Sequence, residues 1–147
     1  MTVLNFSIVP YVGAKPVLLG MSRSEVEAVL GQPRIKSRNF RKELNYDYDS
    51  MNVGFDGEER LCHIGFVPGA ILEYDGDSVW TDEAFSRLCR IDGNPKEVVG
   101  FVVLLTLGIA FTGFHDGEVS QKAVSLFAKG GYDELKPKMK DFVLKTN

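Results

Sequence analysis

Apolar residues recur at helical spacing in two segments of the chain, and each segment has its own start and stop signals. In MSRSEVEAVLGQP, Ser22 is the predicted N-cap and Glu25 completes a capping box. Gly31 and Pro33 end the pattern. The segment WTDEAFSRLCRIDGNP repeats this arrangement with Thr81 as the cap. The sequence therefore predicts two short helices with similar ends.

Other segments alternate with the period of two that is typical of strands. We predict strands over residues 3–9, 43–53 and 70–74, with a turn at Asp75-Gly76 after the third. Near the end of the chain, apolar residues return to helical spacing and predict a C-terminal helix over residues 133–144.

Residues 98–114 form the longest uncharged apolar run, of 17 residues. A membrane-spanning helix needs about 20 apolar residues. The run contains three glycines and many Val, Phe, Ile and Thr residues, which favour strands over helices. We predict two buried strands, 101–105 and 108–114, while a single buried helix stays the alternative.

The two predicted helices are followed by similar sequences. VGFDGEERLCHIGF resembles TGFHDGEVSQKAVSLF, and each contains an Asp-Gly hairpin signal. Asp56 follows Ser22 by 34 residues, and Asp116 follows Thr81 by 35 residues. We predict a single α+β domain, 1–147, with a mostly antiparallel sheet and short helices. Chance recurrence of caps and turns is the alternative to an internal duplication, whose repeats would span 17–69 and 76–130.

Charge is unevenly distributed, although the formal net charge is only -3. Residues 43–83 hold eleven acidic residues and one basic residue, Arg60. Such a segment would repel phosphates, so nucleic-acid binding through it is disfavoured. The basic residues of 34–42 are expected to form a solvated loop that offsets these acids. The chain shows no secretory signal and no lipidation cysteine near its start, so we expect a cytoplasmic protein that does not enter membranes.

Residues that would carry chemistry are sparse. His63 and His115 are the only histidines, and Cys62 and Cys89 are the only cysteines. Neither pair has the spacing of a metal site or a catalytic triad, and phosphate-binding glycine motifs are absent. We therefore expect no enzyme activity, no metal and no cofactor.

Two segments resemble known families. LGMSRSEVEAVLGQP resembles the Gly-Met-Ser/Thr helix and Gly-x-Pro exit of helix-plus-sheet modules in BamE-like outer-membrane assembly lipoproteins and, in tandem, in β-lactamase inhibitor proteins. LGIAFTGFHDGEVSQKAVSLFAKGGYDEL is similar to the C-terminal part of immunity proteins encoded beside bacterial polymorphic toxins. The resemblance implies a protein that works by binding another protein.

We hypothesise that this protein is an immunity protein that binds a cognate toxin and occludes its active site. A scaffold or binding module of another assembly is the alternative. Acidic residues interspersed with aromatic ones suit the recognition of a basic protein, because charge steers association and aromatic rings anchor it. The predicted partner contacts are Tyr46, Asp47, Tyr48, Asp49, Asp75 and Asp77. A solvated strand face with two acidic turns is the alternative for the acids, and core positions are the alternative for the tyrosines, which lie on the opposite strand face.

Overall fold

The computed structural model describes residues 4–114 and 121–144. The helices are α1 (Arg23–Leu30) and α2 (Asp82–Asp92), and a 3-10 helix spans Asp133–Lys138. The strands are β1 (Asn5–Val9), β2 (Gly13–Lys15), β3 (Val17–Leu18), β4 (Ile35–Arg38), β5 (Leu44–Asp47), β6 (Met51–Phe55), β7 (Leu61–Phe66), β8 (Ile71–Tyr74), β9 (Asp77–Ser78), β10 (Lys96–Val98), β11 (Phe101–Leu104), β12 (Ile109–Thr112), β13 (Ala123–Phe127) and β14 (Lys140–Asp141).

These strands form two sheets. The smaller has the order β3-β2-β1-β8-β9, and in it β1 and β8 are parallel. The larger is antiparallel, with the order β14-β10-β11-β12-β13-β7-β6-β5-β4. Two sets of four strands in this sheet each follow a helix in the chain. The strands β4 to β7 follow α1, the strands β10 to β13 follow α2, and in both sets neighbours in the chain are neighbours in the sheet. The last strand of each set, β7 and β13, pair with one another at the middle of the sheet. The predicted α+β class with a mostly antiparallel sheet agrees with this architecture.

One core joins both sheets and both helices. Phe6 of the smaller sheet packs on Phe66 of the larger sheet with ring centroids 5.1 Å apart. Phe85 of α2 packs on Phe111 at 5.1 Å, and Val26 of α1 is fully buried in the same cluster. We call the side of the nine-stranded sheet that faces this core the inner face, and the opposite side the outer face.

The apolar run is two strands, as predicted. β11 and β12 pair antiparallel through a turn in which Gly108 N donates to Leu104 O at 2.8 Å. Gly108 has a φ of +73°, and a Cβ there would lie 2.9 Å from the ring of Tyr11. Val102 faces the main core, while Val103 belongs to a second buried cluster on the outer face. Burial on both faces explains why these strands are continuously apolar instead of alternating.

Both helix starts are confirmed. The Ser22 hydroxyl accepts a hydrogen bond from Glu25 N, and the Glu25 carboxylate accepts one from Ser22 N, which is the predicted capping box. The Thr81 hydroxyl accepts from Ala84 N at 3.1 Å. Among the described residues, no helix is both long and apolar enough to cross a membrane.

The predicted strand 43–53 is wrong in one respect: it is the two strands β5 and β6, joined by a turn. Tyr48 N donates to Met51 O at 2.8 Å, which closes a hairpin around Asp49 and Ser50. Asp and Ser favour turns because their side chains compete for backbone hydrogen bonds. The alternating pattern continued across this turn and hid it. The strand predicted at 70–74 is confirmed as β8, and Asp75 and Gly76 both have positive φ, as a two-residue hairpin loop requires.

The predicted C-terminal helix 133–144 is also wrong. The chain forms only the short 3-10 helix and then β14, which pairs with β10. Pro137 lacks a backbone N–H and its ring obstructs the preceding turn, so an α-helix does not continue through it.

The basic segment predicted to be a solvated loop is an edge strand instead. Residues Ile35–Arg38 form β4, which pairs with β5 on one side only, and all four residues are exposed. Lys and Arg side chains on such an edge discourage pairing with another strand.

Candidate partner-binding surface

The outer face of the nine-stranded sheet is covered over one half and open over the other. Tyr132, Leu135 and Met139 pack on Val103 and Phe127, so the segment around the 3-10 helix covers the outer face of the second strand set. Over β5, β6, β7 and the adjoining part of β13, the outer face carries small or polar side chains. These are Asn45, Asp47, Asn52, Gly54, His63, Gly65 and Ser125.

A groove of about 470 Å³ lies on this open half. Its floor crosses three paired strands, where Asn52 is opposite Gly65 and Gly65 is opposite Ser125. A Cβ at Gly65 would lie 2.3 Å from the side-chain oxygen of Asn52. Because Gly65 has no side chain, the Asn52 amide can lie across the floor of the groove.

His63 lies beside this floor and has an unusual environment. Burial lowers the pKa of its imidazole below the ordinary value of 6.5. Within the described part of the chain, no group forms a hydrogen bond or ion pair with this ring. Burial therefore favours the neutral imidazole over the charged form.

The two sides of the groove differ in chemistry. On one side, Tyr132 packs edge-on against Phe127 at 4.4 Å and against Phe101 at 6.4 Å. Burial raises the pKa of Tyr132. On the other side lies the β5–β6 hairpin with Asp47 and Asp49. The groove thus has an aromatic side and an acidic side.

Three predicted contact residues, Asp47, Tyr48 and Asp49, line this groove. The Tyr48 hydroxyl donates to Gly31 O at 2.9 Å, and burial raises its pKa to about 12. Arg34 lies 3.3 Å from the Asp47 carboxylate and 3.8 Å from that of Asp49. The Asp49 side chain is nevertheless 98% exposed and remains accessible to a partner.

Tyr46 is not on any surface, so its selection as a partner contact is corrected. Its side chain is fully buried and packs on Phe55 at 5.0 Å. Its hydroxyl accepts from Arg23 Nε at 2.9 Å and donates to the Glu27 carboxylate at 2.5 Å. This hydrogen bond is the main cause that lowers the pKa of Glu27. Tyr46 therefore joins α1 to the sheet.

Asp75 and Asp77 lie on a different element from the groove. They belong to the β8–β9 hairpin of the smaller sheet, and neither lines the groove. Asp77 forms an ion pair with Arg87 of α2 at 2.9 Å, and both line a separate depression of about 390 Å³. The structure therefore divides the predicted contacts between two surfaces.

Several acids of the segment 43–83 have basic partners from outside it. Arg23 and Arg38 both contact Glu59, and Lys122 contacts Asp82 at 3.5 Å. Together with the pairs of Arg34 and Arg87, these contacts mean that the local excess of acid is smaller than the sequence suggests.

Sequence reasoning missed Asn52, His63, Gly65 and Ser125 as surface residues of one groove. A signal was present, because in MNVGF and LCHIGF small or polar residues occupy alternate positions of strands whose other residues are apolar. The hairpin at His115, Asp116 and Gly117 lies outside the described residues.

The described residues offer no metal site, since no three His, Cys, Asp or Glu side chains among them converge. Cys62 and Cys89 are both free thiols, and burial raises the pKa of Cys89 to about 12.

Comparisons of the chain with protein-family models, curated proteins and solved structures found no match.

Proposed function

We propose that this protein is a cytoplasmic immunity protein that binds a cognate bacterial toxin and neutralises it by occlusion. The observation that carries the proposal is the open half of the outer face, a broad groove with an acidic side and an aromatic side. Small and uncharged floor residues allow close approach of a partner's backbone or side chains. The partly buried ring of Tyr132 on one side and the exposed carboxylate of Asp49 on the other supply anchoring and steering.

The architecture supports a binding role for a second reason. An amphipathic sheet ordinarily buries one face and leaves the other to solvent. Here the segment around the 3-10 helix already covers part of the second face, and the uncovered part coincides with three predicted contact residues.

We also propose that residues 17–69 and 76–130 are tandem repeats, because α1 with β4–β7 and α2 with β10–β13 have the same element and neighbour order.

The experiment is a co-expression rescue with the product of the adjacent gene, which the proposal expects to be a toxin. Ser125→Arg places a long side chain in the groove without burying it, and we expect affinity for the toxin to fall at least about 100-fold. Ala28→Arg is the matched control, because Ala28 is exposed on α1, which packs on the inner face. Both variants should melt near the wild-type temperature.

Two outcomes would contradict the proposal. Full protection by folded Ser125→Arg protein would exclude the groove as the binding surface. Failure of the wild-type protein to bind the toxin would exclude the immunity function and favour a scaffold of another assembly.

A further inference from the structure

The tip of the β4–β5 hairpin carries the most exposed of the large apolar side chains that the structure describes. Phe40 is 89% exposed. Burial of a phenylalanine side chain is favourable, so an exposed ring forgoes this stabilisation. Single exposed apolar residues are common. A functional role for Phe40 therefore needs further support from the conformation of the tip and from the residues near it.

The tip is a turn with its own hydrogen bonds. Asn39 Oδ1 accepts from Arg41 N at 2.9 Å and from Glu43 N at 3.0 Å, and Lys42 N donates to Asn39 O at 2.9 Å. The Arg41 guanidinium lies 5.4 Å from the centroid of the Phe40 ring. The ring is thus presented by an ordered turn, so that less conformational entropy is lost when a partner binds it.

The tip contacts the 3-10 helix that follows the aromatic side of the groove. Arg41 Nη2 is 3.4 Å from Glu134 Oε2 in the 3-10 helix. Tyr132, which lines the aromatic side of the groove, is two residues before Glu134. A single partner seated in the groove can therefore also contact Phe40.

Basic residues predominate in the segment that leads to the exposed ring. Residues 34–42 contain five basic residues and no acidic residue. Arg38 is shared between Glu59 and Lys42 O, whereas the Lys42 ammonium has no ion pair among the described residues. An apolar pocket bordered by carboxylates complements a phenyl ring that carries a guanidinium beside it in a basic segment.

We propose that Phe40 is an anchor residue that enters an apolar, acid-bordered pocket of the protein partner. The inference rests on the proposed function, because the partner is the toxin that occupies the groove. We favour a protein pocket over a membrane surface as the binding site of the tip. A single ring buries little apolar area in a bilayer, and a protein of net charge -3 is not attracted to anionic lipids.

The test uses the purified protein, residues 1–147, and the product of the adjacent gene, which the proposed function expects to be the toxin. We expect Phe40→Ala to weaken the affinity at least about 30-fold, mostly through faster dissociation, and Phe40→Trp to retain binding. Lys42→Glu should slow association. Ile91→Ala, which truncates an exposed apolar residue on α2, is the control and should bind like the wild type.

The outcomes separate this inference from the proposed function. Wild-type affinity of Phe40→Ala, with Ser125→Arg defective, would overturn the anchor and leave the immunity function intact. Absence of toxin binding by the wild type would overturn both. Binding of the wild type to phosphatidylserine vesicles, lost in Phe40→Ala while its toxin affinity is unchanged, would assign the tip to membranes and overturn the anchor.

Discussion

Two polar residues, Asp92 in the core and His63 beside the groove, differ in whether they have hydrogen-bond partners. The carboxylate of Asp92 is buried and accepts hydrogen bonds from Thr106 N at 2.8 Å and Leu107 N at 3.1 Å. It thereby ties the end of α2 to the β11–β12 turn. The His63 imidazole has no comparable partner in the described chain, and burial opposes its protonation.

His63 gives the stability of the fold a pH dependence. Because its folded pKa is below 6.5, the unfolded chain binds more protons as the pH falls through that value, and the free energy of unfolding decreases. His63→Gln removes this contribution. As the pH is lowered from about 7.5 to about 5.5, we expect the free energy of unfolding of the variant to fall less than that of the wild type. Urea denaturation at each pH measures this difference. A constant difference across this range would mean that His63 titrates alike in both states.

At the scale of elements, β11 and β12 depend on burial from both sides. The main core covers Val102 and Leu104, and the segment around the 3-10 helix covers Val103. The strands themselves have few polar groups with which to accommodate a charge.

Val103→Asp is therefore expected to destabilise the fold by about 3–5 kcal/mol, because it places an unpaired carboxylate in a fully buried position. Val99→Asp is the control within the same apolar segment. Val99 is 75% exposed with a φ of +42°, a conformation that Asp tolerates better than Val. It should change stability by less than about 0.5 kcal/mol, and thermal melts of both variants provide the measurement. Equal losses in the two variants would contradict the two-sided burial.

For the whole molecule, the acidic and basic segments interleave instead of forming one acidic face. Among the exposed acids, Asp49 lies at the groove of the larger sheet and Asp75 lies on the β8–β9 hairpin of the smaller sheet. Exposed charges of this kind act mainly on association rates.

Reversal of Asp47, Asp49, Asp75 and Asp77 to Lys should slow association with the toxin and reduce its salt dependence, while the protein stays folded. Stopped-flow association at several salt concentrations, with thermal melts, measures both effects. Glu58→Lys, at an exposed acid in the turn between β6 and β7, is a control for charge reversal elsewhere. Full protection by the folded quadruple variant in the rescue assay would eliminate the acidic steering mechanism.

Local features of this chain could be predicted from its residues alone. The caps at Ser22 and Thr81, the turn at Asp75-Gly76 and the strand pair β11–β12 depend on hydrogen bonds and φ values within a few residues. Such interactions are present in the sequence window itself. The groove residues were only partly predicted, because alternation identifies a second face of a strand but not whether that face is covered.

Tertiary structure alone decided which surfaces remain open. Tyr46 and Asp47 are neighbours in sequence, yet the first is buried under α1 and the second faces the groove. Whether Val103 is buried on the outer face while Ser125 is not depends on a segment around the 3-10 helix that is distant from β11 in sequence. Burial is a property of what packs against a residue, and that packing is set by contacts between remote segments, which periodicity and capping do not encode.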